Sequence, residues 1–231
     1  MKIACIVDPT TPPYRAGLVR QMARLLREWG ARVTIAPAPA GTVVDPPEHR
    51  LYVIAAEGDA AHAVAADVDA HGGTVLNRYA ALAALRQPAL VARRLAAAGV
   101  PFALEPRPRP GPGPGAASPS AAITLDGIGG HVFGVKRGGP GLRDEPFTLG
   151  PEQYRLAMRC AHALELDLFA IDVALLDGAP VVVSVRPFPA LRGVPDGALR
   201  LADFVYAAAE RTRLAAPVAT PHAAAVITSQ T

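Results

Sequence analysis

The sequence predicts an α/β protein in two parts. An N-terminal parallel sheet covered by helices comes first, followed by an α+β lobe on an antiparallel sheet. Three observations carry this. Apolar strand runs alternate with helical patterns through residue 77, two hairpin patterns follow residue 122, and a Pro/Gly-rich connector separates them. With 231 residues, 51% of them hydrophobic, the chain can bury a core.

The first strand is KIACIV, residues 2–7, a continuous apolar run of the kind that is buried on both faces. The Pro-rich turn DPTTPPY follows. Leu18, Met22, Leu25, Leu26 and Trp29 then recur at helical spacing, and Gly30 stops the helix. ARVTIAPA is the second strand and LYVIAA at 51–56 the third. Residues 59–71 predict a helix ended by Gly72-Gly73, and TVLN at 74–77 a fourth strand. Strands joined through helices over short connections make a parallel sheet. The turn after the first strand has no GxGxxG, which argues against a dinucleotide site there.

Short helices are predicted at 79–86 and 88–98, with Pro88 in a first turn and Gly99 as a stop. VPFAL enters a possible strand. Residues 105–121 hold six prolines and three glycines, and they predict an extended or disordered connector. AITL and HVFGVKR around DGIGG predict a hairpin, and RGGPGLRDEPFTLG a loop. Residues 151–165 predict a helix. LFAIDVALL (168–176), the turn Asp177-Gly178 and APVVVSVRP predict a second hairpin. Residues 197–213 predict a last amphipathic helix, and the Ala/Pro/Thr-rich stretch after Ala215 a fraying tail. The expected units are 1–77, connecting helices 78–104, the connector 105–121, a lobe at 122–215 and a tail at 216–231.

Composition excludes several classes. No apolar run reaches the roughly 18 residues of a membrane span. The N-terminal run is short and followed by Asp8 and Pro9, so it predicts a buried strand in a cytoplasmic protein, not a secretory signal. Cys5 and Cys160 lie in apolar contexts, which argues against a disulfide framework and a zinc site. Net charge is +3, and 21 of the 23 basic residues are arginine, only Lys2 and Lys136 being lysine. With 47 alanines, this composition suits a GC-rich genome better than a nucleic-acid surface. The arginines are scattered and no aromatics alternate with them, so no nucleic-acid partner is expected.

Candidate chemistry is sparse. Asp172 is an acid in an apolar strand. It is either a hydrogen-bonded structural residue or a carboxylate facing a cleft, and Arg186 on the partner strand is its expected partner. Lys136 and Arg137 end a strand before GGPG, with Arg143 further along that loop. This is an anion-binding turn or a hairpin end with solvated cations. Tyr14 and Arg15 follow the C-terminal end of the first parallel strand, where open α/β sheets bind ligands. The six histidines have no metal-ligand spacing, and Ser184 lies in no nucleophile motif. No metal site is expected and no catalytic residue can be named.

The order of segments resembles the ATP-grasp ligases of the ribosomal-protein glutamate ligase and D-alanine–D-alanine ligase kind. TVLNRYAALAALRQPALVARRLAAAGVPF (74–102) is similar to that family's entry into the ATP-binding lobe, where a strand ending in Asn leads to two helices. LELDLFAIDVALLDGAPVVVSVRPFPALRG (164–193) is similar to its closing segment, where two strands bring magnesium ligands together. The resemblance makes the first four strands the small domain that precedes the ATP-grasp, and the second lobe a reduced ATP-grasp lobe.

The departures from the family pattern bear on function. Gln87-Pro88 stands where the family has Asp-Lys, and Ser184 and Arg186 stand at its ligating Glu and Asn. Asp172 and Pro189 are what remains of the closing motif. The connector stands where the family has the subdomain with its second ATP lysine and glycine-rich flap. The resemblance therefore implies a relative that uses neither ATP nor magnesium and has no cofactor. It would bind a peptide or amino-acid-like ligand through Arg186, Asp172, Lys136, Arg143, Tyr14 and Arg15. A homodimer or a partner enzyme of a biosynthetic pathway is expected. An active carboxylate–amine ligase with a reduced site, or a structural dimerisation module, is the alternative.

Overall fold

The computed structural model describes residues 1–9, 11–38, 51–103, 123–136, 144–176 and 179–215. Its first half is a four-stranded parallel sheet ordered β2-β1-β3-β4. The strands are β1 (Lys2–Val7), β2 (Arg32–Pro37), β3 (Leu51–Ile54) and β4 (Thr74–Leu76). Side chains alternate across the sheet, so each strand feeds two cores. Ile3 and Cys5 face α1 (Pro13–Glu28) and α6 (Gly197–Ala215), whereas Ala4 and Ile6 face α2 (Asp59–Ala70). This is why KIACIV is apolar at every position that the two helical layers cover.

Helices α3 (Tyr79–Leu85) and α4 (Pro88–Ala97) lead to the second sheet, which is antiparallel and ordered β7-β6-β5-β8-β9. It is built from β5 (Ile123–Ile128), β6 (His131–Lys136), β7 (Glu145–Phe147), β8 (Leu168–Leu176) and β9 (Ala179–Arg186). Helix α5 (Pro151–Leu164) covers one face, packing Leu156, Cys160 and Leu164 on Phe169, Ile171 and Val173. The parallel and antiparallel sheets are separate, as the two patterning periods require.

Four elements depart from the sequence reading. The expected turn DGIGG narrows to Gly129-Gly130, and Asp126, Gly127 and Ile128 are part of β5. Gly127 is there for space, because a Cβ would overlap the Phe169 ring. The expected loop after residue 137 contains β7, whose Pro146 is tolerated because the strand is an edge. The VPFAL strand reduces to a single parallel bridge between Phe102 and Val182. Trp29 caps α1 and is 37% exposed, set edge-on against Tyr206 of α6. The connector 105–121, the turn Asp177-Gly178, the tail from 216, Arg137 and Arg143 lie outside the described residues.

One side chain ties the halves together. Asn77, 1% exposed, donates from Nδ2 to the carbonyls of Leu168 (2.7 Å) and Pro187 (2.9 Å). Its Oδ1 accepts from the backbone N–H of Asp167 (2.7 Å) and of Leu168 (2.8 Å). The apolar core that holds Ile3, Cys5 and Val53 of the first sheet also includes Ile128, Val135 and Leu168 of the second.

Candidate functional site

The face of the antiparallel sheet opposite α5 divides along its length. At one end Ile128 and Leu168 pack into the core with α1 and α6. At the other end the same face carries Thr124, Asp126, Asp172, Ser184 and Arg186. Strand alternation alone places them together. Asp172 pairs in register with Thr124 on one side and with Ser184 on the other, and Ala170 pairs with Arg186.

The polar groups are tightly engaged. Arg186 Nη2 donates to Asp172 Oδ1 at 2.9 Å, and Thr124 Oγ1 donates to the same oxygen at 2.8 Å. The pair is shielded, with side-chain exposures of 18% for Arg186 and 10% for Asp172. Arg186 Nε is buried and finds no acceptor among the described residues, which is unusual for a native donor.

Asp126 lies at the floor of the same face. It accepts the N–H groups of Ala190 (3.0 Å) and Leu191 (2.7 Å), which holds Leu191 at a φ of 50°. Burial pushes its carboxyl up to about 6 from an ordinary 3.8. The two backbone donors and Arg186 pull it down, and Asp172 pushes it up. The anchored segment then presents Arg192, whose guanidinium lies 5.0 Å from the Tyr14 ring centroid and 3.0 Å from Asp144 Oδ2. Tyr14, Thr124, Asp126, Val135, Asp144, Arg186, Ala190 and Arg192 enclose a polar pocket of about 290 Å³.

The expected site residues are distributed unevenly. Asp172 and Arg186 form the expected pair, and Tyr14 lines the pocket beside Arg186. Arg15 is placed elsewhere. It is 4% exposed, donates to Ala55 O at 3.3 Å, and pairs with Glu57 at 2.8 Å. Burial of the first turn of α1 against the sheet turns it inward over Phe188, 6.0 Å from the ring. Lys136 ends β6, exposed and opposite Glu145.

Sequence pattern does not single out Asp126, Thr124, Asp144 or Arg192. Asp126 carried the same signal as Asp172, an acid among apolar strand residues. The glycines at 127, 129 and 130 made it read as a turn. Among the described residues no group of three His, Cys, Asp or Glu side chains could hold a metal ion, and no helix is long and apolar enough to cross a membrane.

No protein-family model and no curated protein matches the sequence. Solved structures do match the fold. D-cycloserine synthetase DcsG superposes with a TM-score of 0.67 at 17% identity, over 92% of this chain and 100% of its own. D-alanine–D-alanine ligase from Bacillus anthracis complexed with ATP gives 0.67 at 12% identity, over 93% and 99%. ATP-grasp ligase PsnB complexed with precursor peptide PsnA2 and AMPPNP gives 0.63 at 15% identity, over 90% and 98%. With its parallel sheet, its antiparallel sheet and the helices that cover them, the chain has the fold of the ATP-grasp ligases.

Proposed function

We propose that this is an ATP-grasp-fold protein that no longer uses ATP or magnesium and that binds a peptide or amino-acid-like ligand in the cytoplasm. In this reading residues 1–77 and 122–215 are its two halves, joined through 78–104. It serves as the accessory partner of a biosynthetic enzyme or carries a peptide-modifying activity that needs no ATP. The observation that carries the reading is Arg186, seated beside Asp172 and Ser184 where the family resemblance puts metal ligands.

The donor set does not fit magnesium. Asp172 Oδ1 already accepts from Arg186 and Thr124, Ser184 supplies a neutral hydroxyl, and Arg186 is permanently positive. Two unit charges 4 Å apart repel by about 4 kcal/mol per charge pair at an effective dielectric near 20. An arginine in this place can instead hold a carboxylate in bidentate fashion. The peptide class is supported by likeness to PsnB, whose structure holds a precursor peptide.

Calorimetry tests the first part. ATP with magnesium is expected to give no heat of binding and no rise in melting temperature. A micromolar, magnesium-dependent Kd overturns the reading and promotes the ligase alternative. A partner surface is part of the same proposal, and it is motivated by Leu175 and Leu176 at the end of β8, 64% and 56% exposed. Light scattering at tens of micromolar is expected to show a homodimer, or a monomer that gains mass with its partner enzyme. A strict monomer with no partner counts against this part.

A further inference from the structure

The polar pocket has an imbalance in its hydrogen-bonding groups. Its acceptors are engaged: Asp126 by two backbone N–H groups, Asp172 by Thr124 and Arg186, and Asp144 by Arg192. Its donors are under-used. Each guanidinium has five N–H groups. Arg186 Nη2 bonds Asp172, and Arg192 Nε bonds Asp144, and among the described residues the rest of both forks has no hydrogen-bond partner. Arg192 is 52% exposed at the pocket rim, while Arg186 sits deeper. Tyr14 lines the same pocket, with its ring against Arg192. Spare donors on two cations that line one pocket select a ligand rich in acceptors.

Charge adds a second constraint. Among the described residues Arg186 is in ion-pair contact with Asp172 and Arg192 with Asp144, whereas Asp126 is held by two backbone N–H groups and feels Arg186 only at longer range. The charged and titratable groups around it are Asp172 on β8, Arg186 on β9, Tyr14 on α1, Asp144 before β7, and Arg192 beyond the anchored segment. Arg15 is committed to Glu57 under Phe188. An anion entering this pocket is repelled by an ionised Asp126 and accepted by a neutral one.

We infer that the pocket binds an oxyanion, carboxylate or phosphate, between Arg186 and Arg192, and that Asp126 takes up a proton as it does so. This deepens the peptide-binding reading and rests on it for the source of the carboxylate. The Asp126 carboxyl already sits at about 6, and a bound anion raises it further, so the linkage falls in an accessible pH range. Arg192 is a specificity residue of the site, and Asp126 positions it through the Ala190 and Leu191 amides.

The test is a titration of the whole chain, without nucleotide or magnesium, with acetate, inorganic phosphate, and a short glutamate peptide beside its glutamine counterpart. Nitrogen-edited NMR of the arginine Nε–H signals reads Arg186 and Arg192 directly. The expected result is saturable binding that shifts both signals and weakens up to about ten-fold per pH unit above the Asp126 midpoint. Calorimetry of the wild-type chain in two buffers of different ionisation enthalpy should show proton uptake. Arg192→Gln should lower affinity about ten-fold or more, and Asp126→Asn should abolish the pH dependence while binding persists.

Binding without proton uptake, binding equal in Arg192→Gln, or no saturable binding of any probe each overturns the inference. The wild-type buffer experiment decides the proton linkage even if Asp126→Asn fails to fold. Preference for the glutamate peptide over phosphate supports both the inference and the peptide reading. Preference for phosphate supports the oxyanion site and counts against a peptide. Failure here with magnesium–ATP still unbound leaves the proposed function standing, whereas nucleotide binding removes it whatever the oxyanion result.

Discussion

Asn77→Ala is expected to cost about 3–5 kcal/mol of stability. The amide uses both donors and both acceptor lone pairs, at 2.7, 2.9, 2.7 and 2.8 Å, on four backbone groups of the second sheet and its exit. Alanine leaves those groups without partners at a site only 1% exposed. Each unsatisfied buried group costs about 1–3 kcal/mol, reduced where water can enter. Urea unfolding should show a lower midpoint with an unchanged slope. Asn77→Asp is expected to be as harmful, because a carboxylate would face the Leu168 and Pro187 carbonyls without donors. A loss under about 1 kcal/mol for both variants would mean that the two halves do not depend on this clamp.

Asp172→Ala is expected to lower stability by about 3 kcal/mol, chiefly by stranding the Arg186 guanidinium. The penalty comes from an uncompensated charge, not from the worth of the pair, so Asp172→Ala with Arg186→Met should recover most of the loss. A double-mutant cycle by urea unfolding decides this, and a double variant no better than the single contradicts it. The same variant has an electrostatic signature. Asp172 pushes the Asp126 carboxyl up, so removing it should move the Asp126 midpoint downward, as carboxyl NMR would record. An unmoved midpoint would separate the two carboxylates and weaken the picture of one coupled polar face.

Strand parity explains how much of the site was legible. In LFAIDVALL the apolar residues Phe169, Ile171 and Val173 serve the α5 core, and Asp172 necessarily points the other way. The partner strand places Ser184 and Arg186 on that same face by the same rule. The Asp172–Arg186 pair and the parallel sheet were therefore readable from period and spacing. Asp126 was not, because Gly127 and Gly129-Gly130 imitate a turn. Gly127 is in truth a strand residue made small by the Phe169 ring above it.

Local pattern in the chain specifies the two sheet types, their order, and the acid and arginine that share a face. These follow from local rules of side-chain alternation and helix punctuation, which need no knowledge of distant contacts. Packing of the layers is what turns Arg15 inward to Glu57, lets Asp126 anchor the segment carrying Arg192, and sets Arg192 against Tyr14. Those pairings join residues far apart in the chain. They depend on how sheet and helix layers settle on a shared apolar core, which no local pattern encodes.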